Sequence, residues 1–392
     1  MRGSLRKRYT DSWNLILDLG YHPDPQTGQL KRKQKWYTVH GTKRDAEKKL
    51  AELLHALHQG TLVEPSKLTL GAWLDTWVET AIKPPNKRLR SYETYKSVIT
   101  HHLQPALGAI RLQQLLPTDL QRYYTASSLS PTTLEQHHVI VHSALKAAHL
   151  QGLVARNVAS LVLNKPRRLE DVDTVSQQCW TAAEVRRFLA VTPQAGPQMA
   201  AFYQLALDTG ARKGELCGLQ WGETDLERGQ VAIVRQLVKP GLPPVFGPPK
   251  NGTPRTISLM SSTVDLLRRH KARQAETRLA NGQSYHDFGL VFAKDWWGAR
   301  THGHTLGHPL QSNNIGQGEF QRLSVQAGLP RIPFHGLRHT CATLLLQAGV
   351  PVHVVQERLG HKRIEVTLNI YAHTLPHMQQ DAADKLSSML QA

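Results

Sequence analysis

The sequence predicts an α+β protein that is mainly α-helical, carries small β elements, and divides into three domains. Its 392 residues suffice for two or three domains at about 150 residues each. Apolar residues recur at helical spacing through most of the chain and alternate at strand spacing only in short stretches. Polar segments at residues 63–67 and 164–175 predict linkers, which place the domains at 1–62, 68–165 and 176–392.

The first domain is predicted to be a small sheet covered by one helix. Apolar side chains alternate at period two over residues 13–19, and a turn rich in Pro, Asp and Gly separates this strand from a second extended piece at 35–39. Thr42 stands three residues before Asp45, as in a capping box. A stripe of leucines then predicts a helix that ends near Gly60.

The second domain is predicted to be a bundle of helices over residues 70–163. Ser130 followed by Pro131 is a typical pair of N-cap and first helical residue. These two residues therefore predict the start of a long helix, which ends near Gly152.

The third domain is predicted to be mainly helical with two β pieces. Thr181 and Glu184 form a capping-box pattern that opens its first helix. The β pieces are residues 230–238 and 255–259, separated by a Pro- and Gly-rich stretch at 239–254.

Composition and charge exclude several classes of protein. Lys and Arg outnumber Asp and Glu by 48 to 30, a net charge of +18, and this excess is spread over the whole chain, which predicts a nucleic-acid partner. Three widely separated cysteines exclude a disulfide framework and a CxxC metal site. No apolar stretch approaches the roughly 18 residues of a membrane span, and no signal peptide is recognisable at the N-terminus. We therefore expect a cytoplasmic protein without a membrane partner.

Two basic surfaces are predicted to contact phosphate. In the first domain the cations fall on strands and loops, so the exposed sheet face would read a DNA groove; a solvated basic tail is the alternative. In the second domain, basic and aromatic groups gather around a predicted helix start at Ser91, although the tyrosines there could instead serve packing. The candidates are Arg6, Lys7, Arg8, Lys31, Arg32, Lys33, Lys35, Arg88, Arg90, Tyr92, Thr94 and Lys96.

Four stretches of the third domain carry groups suited to a phosphodiester. In TGARKGEL, Arg212 lies in the first turn of a predicted helix, and its permanently charged, planar fork matches phosphate oxygens. In HGLRH, His335 and Arg338 are one helical turn apart and so face one point. LGH places His361 after a predicted helix end. Ten residues later stands Tyr371, a possible nucleophile that needs electrophilic help because a phenol has a pKa of about 10.

Each stretch taken alone has a plainer explanation. The same motifs would arise from a turn followed by an Arg–Glu surface pair, from structural histidines and from a core tyrosine. His335, His339 and His361 could also be imagined as metal ligands, but no cysteine or carboxylate completes a known ligand spacing.

Taken together, TGARKGEL, HGLRH, LGH and the tyrosine after them resemble the tyrosine recombinase family of phage-type integrases in order and spacing. The resemblance implies that residues 1–62 are a three-stranded arm-type DNA-binding domain, 68–165 a helical core-binding domain and 176–392 the catalytic domain. A family lysine on a β-hairpin maps onto Lys250, with Arg255 as its nearest competitor. The implied catalytic residues are Arg212, Lys250, His335, Arg338, His361 and Tyr371, supported by Glu215.

The resemblance also implies the reaction. Tyr371 would attack the scissile phosphate and leave a 3′-phosphotyrosine link and a free 5′-hydroxyl, with His335 accepting the proton and Lys250 protonating the leaving oxygen. The two arginines would clamp the nonbridging oxygens and His361 would donate a hydrogen bond to them. Glu215 would support the pocket by orienting His335. No metal or other cofactor is expected.

The implied partner is double-stranded DNA with attachment-type sites, bound by a homotetramer on the nucleoid. Whether an excision or DNA-bending accessory factor takes part stays open. A silent DNA-binding or architectural protein on the same scaffold, or a type IB topoisomerase, are the alternatives. An apolar stripe at helical spacing near the C-terminus would pack in cis or dock on a neighbouring protomer; it comprises Met378, Ala382, Leu386, Met389 and Leu390.

Overall fold

The chain forms two compact units, Met1–Glu170 and Asp171–Ala392. Their boundary falls inside the linker predicted at 164–175. None of the described helices is long and apolar enough to cross a membrane. The computed structural model describes residues 3–9, 11–23, 29–58, 63, 65–167, 179–241, 243–250, 253–295, 305–311, 315–363 and 387–390.

The first unit begins with an antiparallel sheet of strands β1 (Gly3–Tyr9), β2 (Ser12–Pro23) and β3 (Leu30–His40), in that order. Helix α1 (Lys43–His58) packs on it and covers the buried side chains of Leu15 and Leu17. The three-stranded sheet with one helix is therefore confirmed. The basic runs at residues 6–8 and 31–33, predicted to fall on strands and loops, both lie within strands.

The described residues that follow α1 in the first unit are mainly helical, as predicted. Ser130 caps its longest helix, because its Oγ accepts a hydrogen bond from the Thr133 amide at 3.3 Å. The helix predicted to start at Ser91 starts two residues earlier: Arg88 is its N-cap, and the Ser91 amide already donates to the Arg88 carbonyl at 2.9 Å. The helices are α2 (Leu70–Trp77), α3 (Leu89–Val98), α4 (Gln104–Leu107), α5 (Pro117–Ala126) and α6 (Pro131–Leu150).

The second unit surrounds an aromatic core that includes Trp180, Phe188, Phe202, Tyr203 and Phe320. Its central helix, Pro197–Thr209, is buried on all sides over most of its length. The helices are α7 (Ala182–Val191), α8 (Pro197–Thr209), α9 (Lys213–Cys217), α10 (Ser261–Asn281), α11 (Phe320–Gln326), α12 (Gly336–Gln347) and α13 (Val352–Leu359). The central helix is α8.

The β structure of the second unit differs from the prediction. The piece predicted over residues 230–238 is two strands in separate sheets, because the chain turns away from the first sheet to pack on α9. Gly218 allows this approach: a Cβ there would lie 2.6 Å from the Leu237 amide nitrogen. The sheets are β4 (Thr224–Asp225), β5 (Gln230–Ile233) and β8 (Arg255–Ser258) in that order, and β6 (Gln236–Lys239) with β7 (Val245–Gly247). Strand β7 lies in the stretch predicted to be irregular.

Candidate active site

Arg338 marks the point where three segment ends of the second unit meet. Its guanidinium is buried in the first turn of α12, with Nη1 donating to the Gly210 carbonyl at 2.8 Å and Nη2 to the Leu359 carbonyl at 2.6 Å. The first carbonyl follows α8 and the second ends α13. One side chain therefore ties together three stretches that are far apart in the sequence.

The close approach of these ends requires glycine at two positions. Gly210 and Gly360 both have left-handed backbones, with φ of 59° and 66°, a conformation that side chains disfavour. A Cβ at Gly210 would lie 2.4 Å from Leu359 Cδ2, and one at Gly360 would lie 3.0 Å from Arg255 Nη1. The glycines of TGARKGEL and LGH thus serve the packing around the site.

Arg212 is held beside this point by Glu215. It is the N-cap of α9, with an extended backbone. The sequence predicted Arg212 within the first turn of this helix, and the structure places it one residue before that turn. Its Nη1 donates to Glu215 Oε1 at 2.9 Å, and its amide donates to Oε2 at 2.9 Å. Part of the Arg212 side chain, 18%, stays exposed, whereas that of Glu215 is fully buried. The guanidinium is therefore fixed and still reachable.

The sequence suggested that Glu215 orients His335, but its carboxylate accepts hydrogen bonds from arginines instead. Its second carboxylate oxygen accepts from Arg255 Nη2 at 2.7 Å, so its neighbours are two arginines. These arginines hold the pKa of the carboxyl below its usual range despite complete burial. Glu215 therefore orients Arg212 and keeps a buried negative charge beside it.

Arg255 and Lys250 have different environments. Arg255 is buried, and its Nε donates to the Arg358 carbonyl at 2.8 Å while Nη2 binds Glu215. Lys250 is exposed in the turn that follows β7, and its charge helps to lower the pKa of His335. Arg255 is therefore engaged in internal contacts through Nε and Nη2, whereas Lys250 is an exposed cation whose charge acts on His335.

The three histidines of the motifs, His335, His339 and His361, lie close together, and their pKa values favour the neutral form. The rings of His335 and His339 are perpendicular, with centroids 5.0 Å apart. Burial, followed by the charges of neighbouring groups, lowers the pKa of His335 to about 4. The pKa of His361 falls to about 3 for the same reasons, with Arg338 and Arg212 acting on it. Neutral imidazoles can accept a proton or donate a hydrogen bond at neutral pH.

The site carries an excess of positive charge. Four guanidinium groups, of Arg212, Arg255, Arg338 and Arg358, face the two carboxylates of Asp208 and Glu215. Burial and repulsion by Arg212 lower the pKa of Arg338 to about 9. An arrangement of this kind is stabilised by an anion with several oxygens. Among the described residues, no group of three or more His, Cys, Asp or Glu could hold a metal ion.

Tyr371 lies outside the described residues, as do Met378, Ala382 and Leu386 of the C-terminal stripe. Met389 and Leu390, at its end, are exposed on a short helical segment, residues 387–390. The structure therefore places five of the six predicted catalytic side chains and leaves the position of the tyrosine as a prediction.

The predicted DNA contacts fall into two groups. Five candidates on the sheet are exposed, namely Arg6, Lys7, Arg8, Lys31 and Arg32, and Arg32 pairs with Asp18 at 2.6 Å. Lys35 is half-buried and its Nζ is buried, while the side chain of Lys33 lies outside what the structure describes. Those on α3 are partly engaged within the protein: the Tyr92 hydroxyl donates to Glu79 at 2.5 Å and Lys96 Nζ donates to the same oxygen at 2.9 Å. Arg88 and Arg90 are exposed at the start of that helix.

Sequence reasoning missed Asp208 and Arg358, and it considered Arg255 only as a competitor of Lys250. Two signals were present. Arg255 occupies an inward-facing position of β8, next but one to buried Ile257, and a buried arginine needs a carboxylate. Asp208 lies in the last turn of α8, where the helix dipole disfavours a negative charge, so a nearby cation was to be expected.

Comparison with known proteins identifies relatives along nearly the whole chain. The model of the phage integrase family matches residues 178–378, and that of the phage integrase N-terminal SAM-like domain matches residues 69–128. A tyrosine recombinase XerC-like protein of Caldanaerobacter subterraneus subsp. tengcongensis is 26% identical over 384 residues, covering 93% of each chain. The ICEBs1 integrase of Bacillus subtilis is 22% identical and covers 99% of this chain and 100% of that protein.

Solved structures show the same fold. The Tn1549 transposon integrase in complex with a circular intermediate DNA has a TM-score of 0.63 at 20% identity, covering 81% of this chain and 99% of that one. A lambda integrase tetramer bound to a Holliday junction has a TM-score of 0.58 at 17% identity, covering 93% and 94%.

Proposed function

The chain belongs to the phage integrase family and is a site-specific DNA recombinase, and from this premise we propose that it cuts and rejoins DNA through a 3′-phosphotyrosine link to Tyr371. One observation carries this proposal: Arg212, Arg338, His335 and His361 lie close together, in a place where positive charge is in excess. A scissile phosphate is the anion that this arrangement suits.

The arginines would act on the charge of the phosphate. Phosphoryl transfer spreads negative charge over the nonbridging oxygens, so catalysis depends on positioning and on fixed cations. Arg212 presents its exposed part to the substrate, whereas Arg338 is held by the Gly210 and Leu359 carbonyls. Because these groups are fixed before DNA binds, little reorganisation is needed as the charge develops.

The proton transfers would use the neutral histidine and the exposed lysine. The Tyr371 oxygen forms a bond to phosphorus as its proton passes to His335, whose imidazole is unprotonated at neutral pH. The negative charge of the bound phosphate would raise the basicity of this imidazole, since it offsets the nearby cations. The bond from phosphorus to the 5′-oxygen breaks, and Lys250 gives that oxygen a proton. His361 donates a hydrogen bond to a nonbridging oxygen. Rejoining is the reverse of these steps, so the bond energy is kept and no ATP is consumed.

The proposed substrate is double-stranded DNA with attachment-type sites, and the proposed working state is a homotetramer on that DNA. Strand exchange between two duplexes uses four active sites, and the lambda integrase found similar in fold is a tetramer on a Holliday junction. The enzyme would work on the nucleoid in the cytoplasm. The use of an excision or bending factor stays open.

Capture of the covalent intermediate tests the reaction. A nicked attachment site, whose cut strand loses the short fragment carrying the 5′-hydroxyl, should trap the wild-type protein as an adduct that resists denaturation. Tyr371→Phe should form none because it lacks the attacking oxygen. Tyr285→Phe, which alters a half-buried tyrosine of the same unit, should form the adduct normally.

The same assay separates the alternatives. An adduct formed by Tyr371→Phe would refute the assignment of the nucleophile, and a wild-type protein that binds the site without any adduct would be a silent binding protein. Relaxation of supercoiled plasmid lacking any attachment site, with no exchange of partners, would identify a topoisomerase.

A further inference from the structure

Asp208 and Arg358 form a partly buried ion pair that the motifs do not include. Arg358 Nη2 donates to Asp208 Oδ1 at 2.7 Å and to the Asp208 carbonyl at 2.9 Å. The exposed fraction of the side chain is 2% for Asp208 and 21% for Arg358. The other carboxylate oxygen, Oδ2, accepts from the Met260 amide at 2.8 Å. The pair thus links the end of α8, the end of α13 and the start of α10.

The pair lies directly next to the two carbonyls that hold Arg338. Gly210 follows Asp208 by two residues, and Leu359 follows Arg358 by one, and their carbonyls accept the two Nη atoms of Arg338. Arg255 adds a second tie, because it binds the Arg358 carbonyl. If the pair were broken, the ends of α8 and α13 could separate, and the acceptors that set the direction of the Arg338 guanidinium would move.

We propose that Asp208 and Arg358 are positioning residues for the reaction, which fix the two backbone carbonyls that orient Arg338 and thereby the guanidinium that binds the scissile phosphate. His361 stands two residues after Leu359, so we expect a shift of the end of α13 to displace it as well. Neither Asp208 nor Arg358 needs to touch the DNA. This inference rests on the proposed function, because it assumes that Arg338 acts on a phosphate.

The first experiment compares Asp208→Asn with the wild-type protein on the nicked site. The substitution keeps the shape of the side chain and removes its charge. We expect adduct formation at saturating DNA to slow by about 10- to 100-fold, since a displacement of about 1 Å in a catalytic group can cost about 100-fold. DNA affinity should change by less than about threefold, because no DNA contact is removed.

Asp287→Asn is a control that removes the charge of a carboxylate from a more exposed ion pair. Asp287 also binds an arginine, Arg278, at 2.6 Å and a backbone amide, that of Gly289, at 2.8 Å, away from the site. This variant should form the adduct at the wild-type rate. Thermal unfolding of both variants shows whether either one is folded less stably at the assay temperature.

A neutral substrate separates positioning of Arg338 from a general structural defect. In a methylphosphonate linkage a methyl group replaces one nonbridging oxygen, so the charge that Arg338 would stabilise is absent. Both stereoisomers are compared. On the isomer whose methyl group replaces the oxygen that Arg338 would contact, the wild-type protein and Asp208→Asn should differ much less than on the natural phosphodiester. An equal loss on both isomers and on the phosphodiester would overturn the proposal.

The pair should also behave as one unit. Arg358→Met should slow adduct formation as Asp208→Asn does, and the double variant should be no slower than the slower single variant. Independent, multiplying losses would contradict a shared role. Failure of the wild-type protein to form an adduct would refute the proposed function itself, whereas a wild-type rate in Asp208→Asn would refute only the positioning role.

Discussion

At the scale of single residues, the site shows how a buried cluster of arginines is kept ready for an anion. Glu215 lies between Arg212 and Arg255, and Asp208 lies against Arg358, so each carboxylate offsets part of the repulsion among the cations. Arg338 has backbone carbonyls as its partners, which orient it without cancelling its charge. The uncompensated charge is therefore concentrated where a phosphate would bind.

Removal of Arg212 should impair the chemical step much more than binding. For Arg212→Ala we expect the rate of adduct formation to fall by about 10²- to 10³-fold, as for other fixed donors to a developing charge. DNA affinity should fall by less than about tenfold, because one of many phosphate contacts is lost. Single-turnover kinetics at saturating DNA, with a binding isotherm on the intact site, measure the two quantities.

Arg228→Ala is the control for this prediction. Its side chain is 82% exposed and lies 3.8 Å from Asp225 in a surface pair, so both the rate and the affinity should stay near the wild-type values. Equal losses of rate and affinity in Arg212→Ala would instead show that Arg212 serves mainly to bind DNA.

At the scale of helices and strands, local features were predicted well and contacts between distant segments were not. Thr181 with Glu184 forms the predicted capping box, and so does Thr42 with Asp45, because each cap involves residues only three apart. The split of residues 230–238 into two strands depends on Gly218, which is not adjacent to them in the sequence. The same limit hid the Asp208–Arg358 pair, whose members are 150 residues apart.

The helical part of the first unit contains a buried histidine, His137, whose burial predicts sensitivity to acid. His137 is fully buried on α6, with Nδ1 2.7 Å from the Tyr123 hydroxyl, and its ring centroid is 4.9 Å from that of His102. Burial and the neighbouring His102 lower the pKa of His137 to about 4, from an ordinary value of 6.5. The unfolded chain therefore binds a proton here between about pH 6.5 and pH 4, and the folded chain does not.

Stability should consequently fall as the pH falls through this window. One pKa unit corresponds to about 1.4 kcal/mol, so we expect His137 to account for a loss of about 1 to 3 kcal/mol in the free energy of unfolding between pH 7 and pH 4. The measurement is chemical denaturation followed at several pH values. In His137→Gln this part of the pH dependence should be absent, even though the variant is less stable at pH 7. An unchanged slope in the variant would show that other groups cause it.

At the scale of the whole molecule, the net charge of +18 belongs to both units, and the family model matches account for the helical region and the catalytic region. The sequence could predict the order of these parts, since each has its own periodicity and motifs. It could not predict how the scattered segments of the second unit meet at Arg338, because that depends on the approach of α8 and α13 to each other.

The N-terminal sheet should make the binding of DNA more dependent on salt. Residues 6–8 are exposed cations on β1, and each phosphate neutralised by a cation adds about 0.9 to the slope of log affinity against log salt concentration. If the sheet contacts DNA, Ala at Arg6, Lys7 and Arg8 should reduce that slope by about 2 to 3 on DNA that carries both outer and core sites. On DNA with a core site alone the slope should not change.

A control that replaces Lys43, Arg44 and Lys48, exposed on α1, should leave both slopes near wild type, since these cations lie on the helix and not on the sheet. A solvated basic tail would instead give slopes that fall equally on both DNAs, or with both triple variants, because a diffuse cationic segment does not distinguish the positions of its charges.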